Sequence, residues 1–342
     1  MHQTTCQPLG HRPPHRADWR FSVAPMMDWT DRHCRSFHRA LSAHAWLYTE
    51  MITAQAIAYG DREALLARGE EGDRTVLQLG GSDPAALARA AVAGAGYGYR
   101  EMNLNCGCPS DRVRHGAFGA CLMATPSLVA RCVAAMRDAV DLPITVKHRI
   151  GIDRVTSFDF VADFVGTVAE AGCRRFIVHA RNAWLDGLSP KENREIPPLR
   201  PDIVYRLAST FPHLDFELNG GLAGVEDALA RAAALDGAML GRAAYHDPWL
   251  LAGVDAQCTP GGDAAAPSRD AVVEAMHGYL LRGRARGVRL RHLARHMLGL
   301  YHGQPAAKRW RRMLSDPAVL ASDDPDALLR ARDRMSGSLA AA

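Results

Sequence analysis

The sequence predicts a (β/α)8 TIM barrel followed by a small, all-helical C-terminal domain, and three observations carry that expectation. Eight short β-rich runs alternate with Ala-rich helical stretches over roughly 230 residues, close to the ~250 typical of such barrels. Polar side chains gather at the carboxyl ends of these runs, the rim where parallel α/β proteins keep their chemistry. Beyond Trp249 the strand signal stops and only helical patterns follow.

In chain order the runs are Phe21–Ala24, Trp46–Tyr48, Thr75–Leu79, Tyr99–Leu104, Ile144–His148, Phe176–His179, Asp215–Leu218 and Ala238–Leu240. Between them, Asp83-Pro84 and Thr125-Pro126 each place a capping side chain before a proline at the first helical position. A doubly wound sheet is the competing architecture, but no G-x-G-x-x-G follows the first strand. Cys258 to Pro267 is rich in Gly, Ala, Pro and Asp and reads as a linker. After it, Asp270–Arg282, Leu290–Tyr301, Ala306–Leu314 and Pro325–Met335 read as helices. The expected organisation is a flexible leader over 1–19, a barrel over 20–255, a linker over 256–268, a helical domain over 269–336 and a disordered tail over 337–342.

Composition narrows the class. Hydrophobic content is 48%, ordinary for a chain with a substantial core. No apolar run reaches the ~18 residues of a membrane span, and Met1–Trp19 has no apolar segment of a secretory signal. Eight cysteines without scaffold-like spacing point to reduced thiols in the cytoplasm. No membrane contact and no obligate protein partner is indicated. The net charge of +4 conceals an asymmetry: Arg282 to Arg312 holds ten Lys or Arg and no acid, against 31 basic and 37 acidic residues elsewhere. Such a stripe is a candidate phosphate-backbone footprint, and Trp310 inside it could stack on a base. The alternative is a solvated helix face.

The chemistry centres on Asn103-Leu-Asn-Cys-Gly-Cys-Pro-Ser110, where an apolar strand ends in amides, thiols, a glycine and a proline. Cys108 has three readings: a buried hydrophobe, a metal ligand beside Cys106 and Cys121, or an acid. Cys-x-Cys without a matched second pair is a weak metal signature, so no metal is expected. A free thiol, of pKa about 8.5, is mostly protonated at neutral pH and can donate a proton. Cys106 would simply pack.

Other strands end in Ala24-Pro25-Met26-Met27, in Gln78, in Lys147-His148-Arg149, in His179, in Asn219-Gly220-Gly221 and in Gly241-Arg242. Glycines after the last two strands let backbone N–H groups approach a phosphate, and Arg242 adds a charged contact. Lys147, at the end of an apolar strand, needs an anionic partner. An anionic reduced flavin would provide one, with Gln78 and His179 on the ring edge or the phosphate; a salt bridge to a carboxylate would be the structural alternative.

Together these residues resemble the tRNA-dihydrouridine synthases, flavin enzymes that reduce uracil in tRNA, and most closely their bacterial A subfamily. The matching stretches are APMMDWTDRH from Ala24, VLQLGG from Val76, EMNLNCGCPSDRV from Glu101 and GAFGACLM from Gly116. TVKHRIG from Thr145, IVHARNAWLDGLSPKENREIPPL from Ile177, ELNGG from Glu217 and MLGRAAY from Met239 complete them. The resemblance implies FMN held by Ala24, Pro25, Met26, Met27, Gln78, Lys147, His179, Asn219, Gly220, Gly221, Gly241 and Arg242. It implies NADPH as reductant, hydride transfer from the flavin to uracil C6, and Cys108 as proton donor to C5. Asn105 matches a contact to the target nucleotide, and Arg149 could reach the base or a phosphate. Lys191, Arg194, Arg309 and Arg312 fall where the subfamily orients tRNA, with uridines near position 20 of the D-loop as substrate. A flavin-dependent small-molecule dehydrogenase of the dihydroorotate type would share the phosphate loops and the thiol but not the basic stripe. A non-catalytic RNA-binding barrel would leave Lys147 and the phosphate loops unexplained.

Overall fold

The computed structural model describes residues 20–110, 118–258 and 265–339, with side chains described to Met335. The expected leader (1–19), the middle of the expected linker (259–264) and the last three residues of the expected tail (340–342) lie outside the described residues. Eight parallel strands close into a barrel in sequence order. They are β1 (Arg20–Val23), β2 (Trp46–Thr53), β3 (Thr75–Gly80), β4 (Glu101–Cys106), β5 (Ile144–Arg149), β6 (Arg175–His179), β7 (Asp215–Asn219) and β8 (Gly237–Leu240). Closure comes from β1 on β8, where Ser22 pairs with Met239 and Val23 with Leu240. Each expected strand is present, but β2 runs five residues longer, with a register shift between Tyr48 and Met51.

The two-residue period of a strand sorts side chains between the barrel interior and the surrounding helices. On β4, Met102, Leu104 and Cys106 face outward into the main apolar core, whereas Glu101, Asn103 and Asn105 face inward. On β5, His148 packs outward between Phe164 and Phe176, and Thr145, Lys147 and Arg149 take the other face. A separate small cluster of Ala24, Tyr48, Val76, Ile177 and Met239 fills part of the interior.

The barrel floor is ionic. Arg20 Nη1 donates to Glu101 Oε2 at 2.7 Å, Arg175 Nη1 donates to Glu217 Oε1 at 3.3 Å, and Ser22 Oγ donates to Glu217 Oε2 at 2.7 Å. Both glutamates are at most 1% exposed. Burial raises the Glu217 pKa, with Arg20 and Arg175 opposing the shift. Removing Arg20 would leave the buried Glu101 carboxylate without its counter-charge, a loss of typically about 3–5 kcal/mol.

Helix starts follow the capping rules in part. Asp83 Oδ1 accepts Ala86 N–H at 2.6 Å, as expected. Thr125 occupies the cap position of helix Pro126–Ala139 but caps nothing; its hydroxyl donates to Leu122 O instead.

The C-terminal helices are Arg269–Gly283, Leu290–Met297, Ala307–Leu314, Pro317–Ser322 and Ala327–Leu339. The second ends four residues before the expected Tyr301, and Pro317–Ser322 was not expected at all. The last helix continues to Leu339, into the expected tail, and helix Val254–Cys258 runs into the expected linker. These helices pack on helix Arg32–Leu41 beside β1: His33 Nδ1 and Tyr279 Oη are hydrogen-bonded at 2.7 Å. Among the described residues, no helix is long and apolar enough to cross a membrane.

Candidate active site at the barrel mouth

Cys108 sits two residues beyond β4, half-buried at the mouth. Asn105 Oδ1 accepts the backbone N–H of Gly107 and of Cys108, each at 3.0 Å, which folds the loop back over the strand end. Ala120 N–H donates to Cys108 O at 2.9 Å, tying the loop on its other side. The Cys108 thiol donates to Ser110 Oγ at 3.4 Å. Cys106, one strand position away on the outward face, is fully buried, and burial pushes its thiol pKa well up. Of the two thiols, only Cys108 is placed to meet a ligand.

Cations surround this loop. Lys147, half-buried on β5 beside Asn105, makes no hydrogen bond or ion pair among the described residues. Burial first, and then the charge of Arg149, pull its pKa down to about 7. The alternative of a salt bridge to a neighbouring carboxylate is not found among the described residues. Burial also holds His179 well below its usual value, with Arg149, Lys147, Arg181 and Arg194 adding to the effect. Positive charge concentrated in this way favours an anionic occupant.

Across the mouth, Gly220 and Gly221 follow β7 with φ of +106° and +68°. A Cβ on Gly220 would lie 2.7 Å from His179 Cδ2, and one on Gly221 2.5 Å from Leu199, so both positions require glycine. The N–H groups of Gly220, Gly221 and Gly241 donate to no protein acceptor among the described residues. Asn219 Nδ2 donates to Met239 O at 2.8 Å, locking the ends of β7 and β8 together. Arg242, expected on a phosphate, forms a 2.6 Å ion pair with Glu195, both side chains more than 40% exposed. Exposed pairs of this kind contribute at most about 1 kcal/mol, so a phosphate can displace Glu195. Next to Gly241, the loop from Ala24 to Asp28 is held by Thr30, whose Oγ1 accepts Met26 N–H at 2.9 Å, and Met27 projects 53% exposed. These groups fit an anionic cofactor with a terminal phosphate.

Several expected contacts are differently placed. Arg149 is 3% exposed: Nε donates to Gly107 O, and Nη1 to Asn182 O and Asn193 O. From the end of β5 it ties the loops after β4 and β6 together instead of standing free for a base or phosphate. Asn105 is 8% exposed, and both ends of its amide are engaged by protein. Gln78 is 1% exposed; its amide donates to Asn103 and accepts from Asn105, leaving one N–H and one lone pair for a ligand. Lys191 and Arg194 are exposed around Glu192–Arg194, on the loop that Arg149 anchors.

The basic stripe is less acid-free in space than in sequence. Arg282 pairs with Glu70, Arg284 and Arg289 with Asp323, and Arg295 with Asp31. Lys308, Arg311 and Arg312 are exposed and make no ion pair among the described residues. Arg309 and Arg312 line a cavity of about 600 Å³ with Arg334, Met313, Val319 and Asp316. Trp310 is no base-stacking platform: it is fully buried, and its Nε1 donates to Met297 O at 2.7 Å. A helix places residues one apart on different faces, so Trp310 packs inward while Arg309 and Arg311 face out.

Sequence reasoning gave Glu101 and Thr145 no role. For β4 the signal was available: Glu101, Asn103 and Asn105, at alternate positions in an otherwise apolar strand, mark a polar barrel interior.

The chain matches the family model described as dihydrouridine synthase over residues 22–332. It is 54% identical over 310 residues to the tRNA-dihydrouridine(20/20a) synthase of Escherichia coli K12, covering 90% of this chain and 89% of that protein. It is equally identical to the proteins of the same name from Synechocystis sp. PCC 6803, covering 90% and 92%, and from Shewanella oneidensis, covering 88% and 89%.

Proposed function

The chain belongs to the dihydrouridine synthase family, and on that premise we propose that it reduces the C5=C6 bond of D-loop uridines 20 and 20a in tRNA to dihydrouridine, at the mouth of its barrel. The observation that carries the reading is Cys108: a half-buried thiol on a fixed loop, beside a Lys147 that makes no ion pair among the described residues.

FMN is the cofactor, with NADPH as reductant. When bound and reduced, FMN supplies the hydride that reaches uracil C6. Gly220, Gly221, Gly241 and Arg242 bind its phosphate, and Lys147 neutralises charge on its ring. Pro25 to Met27, Gln78 and His179 border the ring. Cys108 gives its thiol proton to C5, so that each reduced uracil gains one hydride and one proton. The uridine must leave its stack to reach this site. Lys191, Arg194, Arg309 and Arg312 hold tRNA phosphates and fix the angle of its approach.

The test is to incubate dihydrouridine-free tRNA with the protein, FMN and NADPH and to map the product. Dihydrouridine at positions 20 and 20a supports the proposal; unmodified tRNA, or modification confined to other positions, overturns it.

A further inference from the structure

The loop carrying Cys108 is linked to the ionic barrel floor by one uninterrupted chain of side chains. Asn105 Nδ2 donates to Gln78 Oε1 at 2.8 Å, and Gln78 Nε2 donates to Asn103 Oδ1 at 2.8 Å. Asn103 Nδ2 donates to Thr145 Oγ1 at 3.0 Å, and Thr145 Oγ1 donates to Glu101 Oε1 at 2.8 Å. Arg20 holds the other Glu101 oxygen at 2.7 Å. Every bond runs the same way, from the N–H groups of Gly107 and Cys108 down to the Glu101 carboxylate.

That direction is fixed from both ends. An ionised carboxylate can only accept, and a backbone N–H can only donate. Thr145 has one hydroxyl proton; with it on Glu101, the Thr145 oxygen must accept from Asn103. Asn103 must then present its carbonyl to Gln78, and Gln78 its carbonyl to Asn105. Turning any one amide over would set donor against donor or acceptor against acceptor in a site where all five residues from Glu101 to Asn105 on β4, and Gln78 and Thr145, are buried. Buried mismatches of that kind are expensive, and aligned chains polarise one another.

We infer that Glu101 is a positioning residue for Cys108: through Thr145, Asn103 and Gln78 it fixes which way the Asn105 amide faces, and so where the Cys108 thiol stands. The inference rests on Cys108 being the proton donor. It adds that the barrel floor, far from substrate, sets the donor's geometry.

Thr145→Val removes the hydroxyl in mid-chain while leaving the Arg20–Glu101 pair intact, and Thr145→Ser restores the hydroxyl. We expect Thr145→Val to lower kcat by up to about 100-fold, the size of effect a misplacement of about 1 Å can have. The KM for tRNA should stay unchanged, because no tRNA-binding group is touched. The rate at which iodoacetamide alkylates Cys108, followed by mass spectrometry against Cys121 in the same molecule, should change too. Thr145→Ser should return all three readouts to wild type. Glu101→Gln should resemble Thr145→Val, since an amide there can donate and releases the polarity. Wild-type kcat and Cys108 alkylation in Thr145→Val would overturn the inference, as would a Thr145→Ser variant as impaired as Thr145→Val. Failure of the underlying reading looks different: Cys108→Ala would then turn over normally, while the Thr145 variants still altered Cys108 alkylation.

Discussion

Asp31 and His296 are hydrogen-bonded at 3.1 Å across the seam between the barrel and the C-terminal helices. Asp31 also caps helix Arg32–Leu41, accepting the N–H groups of His33 and Cys34 at 2.9 Å, and pairs with Arg295. It follows directly on the loop that borders the mouth, where Trp29 stacks on Tyr245 at 4.3 Å. One carboxylate thus joins the mouth loop to the domain that carries Arg309 and Arg312. Burial alone would raise its pKa, but the His296 hydrogen bond and charge override that and hold it well below the usual carboxylate value.

Asp31→Asn keeps a capping side chain and removes the charge. We expect it to destabilise the protein at pH 7 by about 1–3 kcal/mol, the range for hydrogen bonds to a charged group. A depressed folded-state pKa contributes stability above the unfolded value of about 3.9 and loses it as pH falls through the folded value. Urea unfolding of the two proteins should therefore show a gap that is constant from pH 7 to 5 and narrows below pH 4. A gap that widened on acidification would contradict the assignment.

Lys147 gives a proton-linkage test. With its pKa near 7 in the free protein, the amine is largely neutral at pH 8. An anionic flavin beside it favours the ammonium form. Binding of reduced FMN, whose ring is anionic, to the apoprotein at pH 8 without oxygen should therefore take up protons, measured by calorimetry in buffers of different ionisation enthalpy. Lys147→Met should abolish the uptake; an unchanged uptake would place the proton elsewhere.

Arg242 and Glu195 should act oppositely on the cofactor. Arg242→Ala removes a charged phosphate contact, weakening FMN binding by about 1.5–3 kcal/mol. Glu195→Gln frees Arg242 from its exposed partner and should hold FMN at least as tightly as wild type. Full FMN occupancy of Arg242→Ala after extensive dialysis would remove the phosphate assignment.

Arg309 and Arg312 stand three residues apart on one helix and share a cavity. Replacing both with Ala should raise the KM for tRNA and flatten the log–log salt slope by about 0.7–0.9 per lost phosphate contact. Reduction of FMN by NADPH, which needs no tRNA, should be unchanged. Arg282 and Arg284 already face Glu70 and Asp323, so their double replacement should cost less. Equal losses would indicate a diffuse field instead of a docking surface.

The barrel was legible because its signals are local: strand-length apolar runs, helix starts such as Asp83-Pro84, and the paired glycines after β7, both of which take positive φ. The site residues were legible as types at strand ends. Their partners were not. Arg149 reads as a free cation until the fold delivers the carbonyls of Gly107, Asn182 and Asn193 to it. The stripe reads as acid-free until Glu70, Asp31 and Asp323 arrive from elsewhere in the chain. Trp310 reads as a stacking group until helix packing turns it inward. Each is a long-range pairing that no window of sequence contains.

Transfer of the Cys108 proton to uracil C5 is tested most directly by isotope labelling. The FMN-loaded protein, reduced with NADPH, is mixed with tRNA in D2O for a single turnover, and the position of deuterium in the product is read by mass spectrometry and NMR. An exchangeable thiol proton becomes deuterium in D2O, so deuterium should appear at C5; the N–H of a reduced flavin exchanges with solvent as well, so the label at C5 and its rate of appearance are the readout. Cys108→Ala should slow the step by roughly 10²–10⁴-fold, whereas Cys106→Ala, whose thiol is buried in the outer core, should leave it nearly unchanged. Absence of solvent deuterium at C5, or full-rate C5 labelling in Cys108→Ala, would contradict the assignment.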